Sequence, residues 1–299
     1  MDLLEISRES AYRRLRGDVP FSIEEISKLA LELDFSIDEL IRESKDRLVF
    51  FGPRTPAKDF SHAFQIMLQK TYYYIQRMTQ AQEAESLVVI NHIPPVFTVY
   101  FEHLFRFLYY RWLHQNRKSS LNYCFADVII PQEITELQKK IKFAARSLSN
   151  TYIFDPNIIL NLISVVQYYY RRKLLSEKEL DLLVEDILSQ ISLFEKIAQT
   201  GYSDYKTARC DIFLSSISIE GNSNYIRFDQ SMSSYYFTDM VNSIIISDEQ
   251  ICTMHKEWIE SLKKYSTLIT QSGEILQSEY FEQQRANVLA IRSETPFYR

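Results

Sequence analysis

Glycine is scarce in this chain, with only 5 glycines among 299 residues, and this scarcity limits the folds that the chain can adopt. Proteins usually contain about 7% glycine. Phosphate-binding glycine loops, barrels and folds with many tight turns depend on glycine, because they place residues at positive φ. The composition therefore favours helices joined by few tight turns over a turn-rich β fold.

The charge of the chain restricts any contact with nucleic acid to a local surface. The formal net charge is −5, so the chain as a whole does not have the composition of a polyanion-binding protein. Residues 8–16 nevertheless contain four arginines and one glutamate. This basic segment in an acidic chain is the candidate for a nucleic-acid contact.

The cysteines and the apolar segments predict a soluble protein of the cytoplasm. Cys124, Cys210 and Cys252 are far apart and odd in number, a pattern that suits neither a disulfide framework nor a zinc site. The most apolar run, residues 96–113, contains several charged side chains, which are rare in membrane spans. No signal peptide is recognised at the start of the sequence, and no membrane partner is expected.

The segment ISRESAYRRLRG, residues 6–17, predicts a short helix with a basic surface. Ser7 is a favourable N-cap residue, and Gly17 suits the left-handed conformation that often ends a helix. Ala11 and Leu15 are spaced to lie on one face, which we expect to pack against neighbouring residues. The arginines occupy most of the remaining surface, either as a solvated face or as a binding face.

Two capping boxes follow this helix and predict a compact helical module. Ser22 and Glu25 form the first box, and helically spaced apolar residues continue from Ile23 to Leu33. Ser36 and Glu39 form the second box ahead of Leu40 and Ile41. The signals therefore predict three short capped helices within about 40 residues.

The order of these elements, with the wordings ESAYRRLRG and PFSIEEI, resembles the Cro/lambda-repressor type of helix-turn-helix transcriptional regulator, in a Bacteroidota-like subgroup. The resemblance covers about Leu4 to Ile41. It implies that residues 8–16 form the recognition helix in the major groove of double-stranded DNA. The DNA-binding residues that it implies are Arg8, Glu9, Ser10, Arg13, Arg14 and Arg16.

The resemblance also implies one or more helices ahead of Leu4, and only a few residues precede it in the sequence. We expect either that the motif is truncated at its start or that another part of the protein covers the exposed face, and we favour the first alternative. The predicted domains are an incomplete helix-turn-helix module at 1–43, a linker rich in charge and proline at 44–57, and a sensor or dimerisation domain at 58–299.

The predicted fold class is mainly α, with one small β-hairpin in the larger domain. Helical spacing recurs through most of the chain after Phe60, and a capping box at Ser176 and Glu179 begins one of the helices. Residues 210–219 are the exception, because they alternate in the manner of a strand before the turn-forming pair Gly221-Asn222. A third strand is expected near residues 241–246. The order of elements here also resembles the C-terminal region of the same regulator subgroup.

The sequence contains none of the usual signatures of an enzyme, so no catalytic, cofactor-binding or metal-binding residues are predicted. The five histidines lack metal-ligand spacing, and nucleophile elbows and nucleotide-binding loops are not found. The aromatic segment 100–112 and the run Tyr168-Tyr169-Tyr170-Arg171-Arg172 are candidates either for the core or for a ligand pocket, and the core is favoured for any single residue.

The sequence predicts a one-component, homodimeric transcriptional regulator that binds double-stranded DNA and responds to a small-molecule or peptide effector. The alternative is a helical ligand-binding or protein-interaction protein whose truncated helix-turn-helix no longer binds DNA. Salt-dependent retention on DNA distinguishes the two, because phosphate contacts release counterions.

Overall fold

The chain forms two compact units, Met1–Val49 and Phe50–Arg299, in a computed structural model. The structure describes residue 4 and residues 6–32, 60–115, 120–203, 208–239 and 242–292. The predicted capping box at Ser36 and the predicted linker at 44–57 lie outside the described residues.

The described residues of the first unit form two helices, α1 (Arg8–Leu15) and α2 (Ile23–Glu32). The Ser7 hydroxyl accepts a hydrogen bond from the Ser10 amide at 3.2 Å, which confirms Ser7 as the N-cap of α1. Gly17 has a φ of +78°. Its amide donates to the Arg14 carbonyl at 3.0 Å, and the Asp18 amide donates to the Arg13 carbonyl at 2.9 Å. This pattern is a Schellman motif, so local sequence signals set both ends of α1.

The packing of α1 differs from the expectation in one respect. None of the described residues of α1 is buried, and Leu15 is 74% exposed. Ala11 is half-buried. The expectation that Leu15 packs inward is therefore wrong for the described part of this unit.

The second unit contains a seven-stranded mixed sheet. Its strands are β1 (Ala84–Ile90), β2 (Asn150–Phe154), β3 (Cys210–Ser215), β4 (Ser223–Phe228), β5 (Ser231–Phe237), β6 (Ser243–Ile246) and β7 (Ser266–Leu268). The strand order is β6-β5-β4-β1-β2-β3-β7. The adjacent strands β1, β2 and β3 are parallel, with Leu87 opposite Thr151 and Asn150 opposite Cys210, and the other neighbouring pairs are antiparallel.

Helices pack on both faces of this sheet. They are α3 (Phe60–Gln80), α4 (Pro95–Thr98), α5 (Glu102–His114), α6 (Gln132–Ala144), α7 (Ile158–Arg171), α8 (Glu177–Thr200), α9 (Glu249–Leu262) and α10 (Glu274–Leu289). On one face, Leu87, Val89 and Ile153 pack against Cys252 and Ile259 of α9. The opposite side chains of the same strands join the main core with the other long helices. This alternation places β1 and β2 between two apolar layers.

The predicted mainly-α class is therefore wrong, and the fold is α/β. The strands β1 and β2 are short and buried on both faces, so their sequences are apolar runs without strand-like alternation. The predicted hairpin is also wrong, because β3 pairs with β2 and β7, whereas β4 pairs with β1 and β5. Cys210–Ser215 and Ser243–Ile246 are nevertheless strands, close to two of the predicted positions.

Candidate functional site

The basic surface of α1 presents two arginines to solvent. Arg8, Glu9 and Arg13 are exposed. The Arg8 guanidinium lies over the Tyr12 ring, 5.7 Å from its centroid, a contact that orients the side chain while its charge stays accessible. Arg8 and Arg13 are therefore placed to meet an anionic partner.

Arg14 has a different environment, although the sequence predicts the same role for it. Its Nε and Nη2 atoms lie 2.9 Å from the two carboxylate oxygens of Glu25 on α2, and its Nη1 atom donates to the Ser10 hydroxyl at 2.6 Å. The guanidinium is half-buried. Bidentate pairing of this kind fixes geometry, so Arg14 and Ser10 connect α1 to α2 in the described structure.

The environment of Arg16 is intermediate between that of the exposed Arg13 and that of the paired Arg14. Its Nε atom lies 3.4 Å from the Asp18 carboxylate, and both side chains are mostly exposed. Exposed pairs of this kind contribute little to stability. Arg16 can therefore exchange this partner for another anion at low cost.

A pocket of about 340 Å³ opens at the carboxyl end of β1. Ligands of open α/β sheets usually bind beyond the carboxyl ends of the strands. The apolar part of the lining includes Ile93, Leu104, Phe107, Leu108 and Leu162, and the polar part includes Asn91, His92, Arg111, Gln115, Asn161, Glu220, Asn222 and Asp239. The lining combines an apolar wall with a few polar groups, as small-molecule sites do.

A network of asparagine side chains fixes the wall of this pocket. The Asn222 carbonyl oxygen accepts from the Asn91 amide at 2.8 Å, and the Asn222 amide group donates to the His92 carbonyl at 3.1 Å. The Asn161 amide group, on α7, donates to the Asn91 carbonyl at 2.8 Å. These bonds join the end of β1 to α7 and to the loop before β4, so the pocket wall is preformed.

His92 has a defined tautomer when its ring is neutral. The Asn91 amide group donates to the buried Ile219 carbonyl at 2.8 Å, which leaves the Asn91 side-chain oxygen 2.7 Å from His92 Nδ1. Nδ1 therefore carries the proton, and Nε2 is an acceptor. Burial and the positive charge of Arg111 lower the pKa of His92, while Asp155 opposes this shift.

Arg111 lies in the last turn of α5 and lines the pocket. Its Nε atom is buried and has no hydrogen-bond partner among the described residues. None of the described carboxylates forms an ion pair with it. Burial lowers the pKa of Arg111, but a guanidinium remains positively charged at neutral pH. The pocket therefore contains a cation that has no direct ion-pair partner among the described residues, although Glu220 and Asp239 also line it.

Most of the aromatic candidates belong to the core, the reading favoured for each residue from sequence. Phe105, Tyr109, Tyr110 and Trp112 are buried in the main cluster, whereas Phe107 also lines the pocket. Sequence reasoning missed Arg111 and the asparagines. The sequence offers one signal for Arg111, which is a positive charge within the apolar run 96–113. In the sequence, that charge served only as evidence against a membrane span.

The described residues offer neither a metal site nor a membrane span. No group of three or more His, Cys, Asp or Glu side chains is arranged to hold a metal ion among them. None of their helices is both long enough and apolar enough to cross a bilayer.

The second unit is an α/β fold with a cavity of the kind that binds small molecules. The first unit, which precedes it in the sequence, is helical and has a basic surface. Residues 1–92 match the family model of the BetR domain. That domain is associated with DNA binding, so the match indicates a regulatory role. It does not confirm the Cro/lambda-repressor type of helix-turn-helix. No curated protein matches the chain.

The matched range runs through α1, α2, α3 and β1 and ends at His92. It therefore includes the basic surface in full and reaches Asn91 and His92 of the pocket wall, whereas Arg111 lies beyond it.

Proposed function

We propose that the chain is a DNA-binding transcriptional regulator of the cytoplasm, in which α1 is the recognition helix and the α/β unit is the sensor or dimerisation domain. The observation that carries this proposal is the solvent-exposed basic surface of α1, which lies within the range that matches the BetR domain. No enzymatic reaction is assigned to the protein.

Arg8 and Arg13 are the residues we assign to DNA, because both are exposed and neither forms an ion pair among the described residues. Glu9, next to Arg8 at the start of α1, is placed to meet a base edge, since the first residues of recognition helices do so. Arg16 is assigned to a phosphate, with Asp18 as its partner when DNA is absent. Ser10 and Arg14 act indirectly, because they hold α1 against α2.

A homodimer is part of the proposal. One helix of eight residues reads only a few base pairs, and regulators of this type usually double the contact by binding two half-sites. Sedimentation of the full chain at several protein concentrations tests this point.

The test of DNA binding uses the full chain and a pool of fluorescent random-sequence duplexes. Anisotropy at several salt concentrations gives the slope of log affinity against log salt, and rounds of selection from the pool give a preferred sequence. We expect a steep negative slope for the wild type. Arg13→Ala should make it shallower by about 0.9, the value for one phosphate contact.

Lys28→Ala is the matched control, because Lys28 is an exposed cation of the same helical unit on α2 rather than α1. It should change the slope less than Arg13→Ala does. Equal effects of the two variants would show non-specific attraction to a basic unit and would contradict the role given to α1.

The second candidate function is a ligand-binding protein that does not bind DNA. The pocket around Arg111 favours it, since a preformed cavity with an unpaired cation is independent of α1. Absence of salt-dependent binding by the wild-type chain, together with ligand binding by the α/β unit, would favour this candidate over the regulator.

A further inference from the structure

We propose that the pocket at the carboxyl end of β1 binds a small organic monocarboxylate, with the carboxylate held by Arg111 and an apolar body lying against α5. The inference concerns the α/β unit alone, so it does not depend on DNA binding by α1.

The guanidinium of Arg111 has no direct partner among the described residues. A buried ionised group without a partner is costly, and structures normally pair it or neutralise it. The Nε atom of Arg111 is buried and unpartnered among the described residues. Tyr169, whose pKa is raised by burial, remains a neutral phenol and supplies no negative charge. An anion that enters the pocket would therefore supply the direct partner that Arg111 lacks among the described residues.

A guanidinium presents its N–H groups in a planar fork that matches the two oxygens of a carboxylate. Arg111 extends from a helix whose neighbouring residues Leu108 and Trp112 are buried, so its backbone is held firmly. The cation is therefore presented by a rigid element, as specific sites require.

Two carboxylates of the lining favour a monoanion over a multiply charged ligand. Glu220 and Asp239 are exposed and line the same pocket. The Asp239 carboxylate accepts hydrogen bonds from the backbone and side chain of Asn242 at 2.7 and 2.8 Å, which hold it in place. Two carboxylates oppose a phosphate dianion more than a single carboxylate, because repulsion grows with ligand charge.

The size and the apolar lining of the pocket restrict the rest of the ligand. The pocket volume of about 340 Å³ is at the lower end of the range for small-molecule sites. Leu104, Phe107 and Leu108 of α5 and Leu162 of α7 supply apolar contacts. A branched aliphatic or aromatic body of a few carbons fits this lining better than a sugar or a nucleotide.

The experiment measures binding of defined probes to the full chain by calorimetry and by the shift in melting temperature. The probes are benzoate and isovalerate, their uncharged amides benzamide and isovaleramide, and inorganic phosphate. We expect the carboxylates to bind and to raise the melting temperature, and we expect the amides and phosphate to bind at least about tenfold more weakly.

Two variants assign the effect to the pocket. Arg111→Gln should weaken binding of the carboxylates about 30-fold or more, as the loss of a buried charge contact does. Glu220→Gln removes an exposed negative charge from the lining and should strengthen binding by about two- to fivefold. Equal binding by the wild type and Arg111→Gln, a preference for phosphate, or no binding of either carboxylate would overturn the proposal.

A third variant gives a readout that needs no ligand. Arg111→Met keeps most of the length of the side chain and removes the unpaired charge, so the unliganded protein should melt a few degrees higher than the wild type. A lower melting temperature would show that Arg111 stabilises the unliganded fold, and would overturn the argument that its charge is matched by a ligand.

Discussion

The Glu25 carboxylate joins two functions in the helical unit, because it pairs with Arg14 of α1 and also caps its own helix. Its oxygens lie 2.9 Å from Nε and Nη2 of Arg14, and one of them accepts the Ser22 amide at 2.9 Å. The Ser22 hydroxyl completes the capping box by accepting the Glu25 amide at 3.2 Å. One side chain therefore fixes both the start of α2 and its contact with α1.

This arrangement predicts how Glu25 titrates. The hydrogen bond from Arg14, followed by that from the Ser22 amide, lowers the pKa of Glu25. A carboxyl whose pKa is lower in the folded state stabilises that state above its unfolded pKa, and the stabilisation is lost as pH falls through the folded pKa. An NMR titration of the side-chain carboxyl carbon should give a midpoint below that of an exposed glutamate.

Arg14→Ala should raise this midpoint towards the ordinary value, because it removes the largest cause of the shift. Arg13→Ala is the matched control, since Arg13 is exposed and is not a cause of the shift. Identical midpoints in the wild type and Arg14→Ala would contradict the role assigned to the ion pair.

The ends of the helices could be predicted from sequence because their signals are local. Ser7 and Gly17 bound α1 as expected, and the box at Ser176 and Glu179 begins α8. A cap depends on residues three or four positions apart, all of which are visible in one short window of sequence. These predictions therefore required no knowledge of the tertiary structure.

The sheet could not be predicted in the same way, because its pairing is distant and its turn chemistry is unusual. Leu87 of β1 pairs with Thr151 of β2, across a connection of three helices. The β4–β5 hairpin turns at Asp229, which has a φ of +50° without being glycine. Its carboxylate accepts from the Gln82 amide at 3.1 Å, so a tertiary contact supports this turn.

For the candidate site, the sequence predicts the basic segment of α1 from its composition, but it does not show which of its arginines are exposed. The sequence identifies Arg13 and Arg14 equally, and only the fold separates the exposed arginine from the paired one. Arg111 has apolar neighbours in sequence, and its place in a pocket depends on loops that follow β1 and precede β4. No local pattern contains that information.

His255 predicts a loss of stability at mildly acidic pH. It is buried on α9, with Nδ1 2.9 Å from the Ser234 hydroxyl and Nε2 3.1 Å from the Ser223 hydroxyl. Its ring stacks on Trp258 and contacts the tilted ring of Tyr236. Burial lowers its pKa from 6.5 to about 4. The unfolded chain therefore binds this proton first as pH falls.

Stability should accordingly decrease as pH falls through the window between 6.5 and about 4. The expected loss from this residue is about 2 kcal/mol between pH 7 and pH 5. Urea unfolding of the wild type and His255→Asn across this range gives the measurement. His62→Gln is the control, because His62 is exposed. An unchanged pH slope in His255→Asn would rule out this origin.

Asp186 caps a helix that has no side-chain cap of its own. The N-cap position of α5 is Phe101, which provides no side-chain acceptor. Asp186, on α8, accepts instead from the His103 and Leu104 amides at 2.7 and 2.9 Å. The carboxylate also faces the positive end of the helix dipole.

Asp186→Ala should destabilise the α/β unit by about 1 kcal/mol, the usual value for a lost N-cap. Glu185→Ala, which removes the same charge from the exposed neighbouring position, should have little effect. Thermal unfolding of both variants measures the difference. If the two variants have equal melting temperatures, the cap that Asp186 provides to α5 does not contribute to stability.

Because α5 presents Arg111 to the pocket, Asp186→Ala should also weaken binding of the carboxylate probes.

Gly201 should be the least tolerant of substitution among the glycines that the structure describes in the α/β unit. It ends α8 with a φ of +74°, and a Cβ atom built there would lie 3.0 Å from Gln271 Oε1. The left-handed conformation costs a non-glycine residue about 1–2 kcal/mol, so Gly201→Ala should lower the free energy of unfolding in urea by about that amount. Gly221→Ala is the matched control, because Gly221 has no positive φ and an added Cβ meets no atom within 4 Å. Equal stability of the two variants would show that α8 can end without the left-handed turn at Gly201.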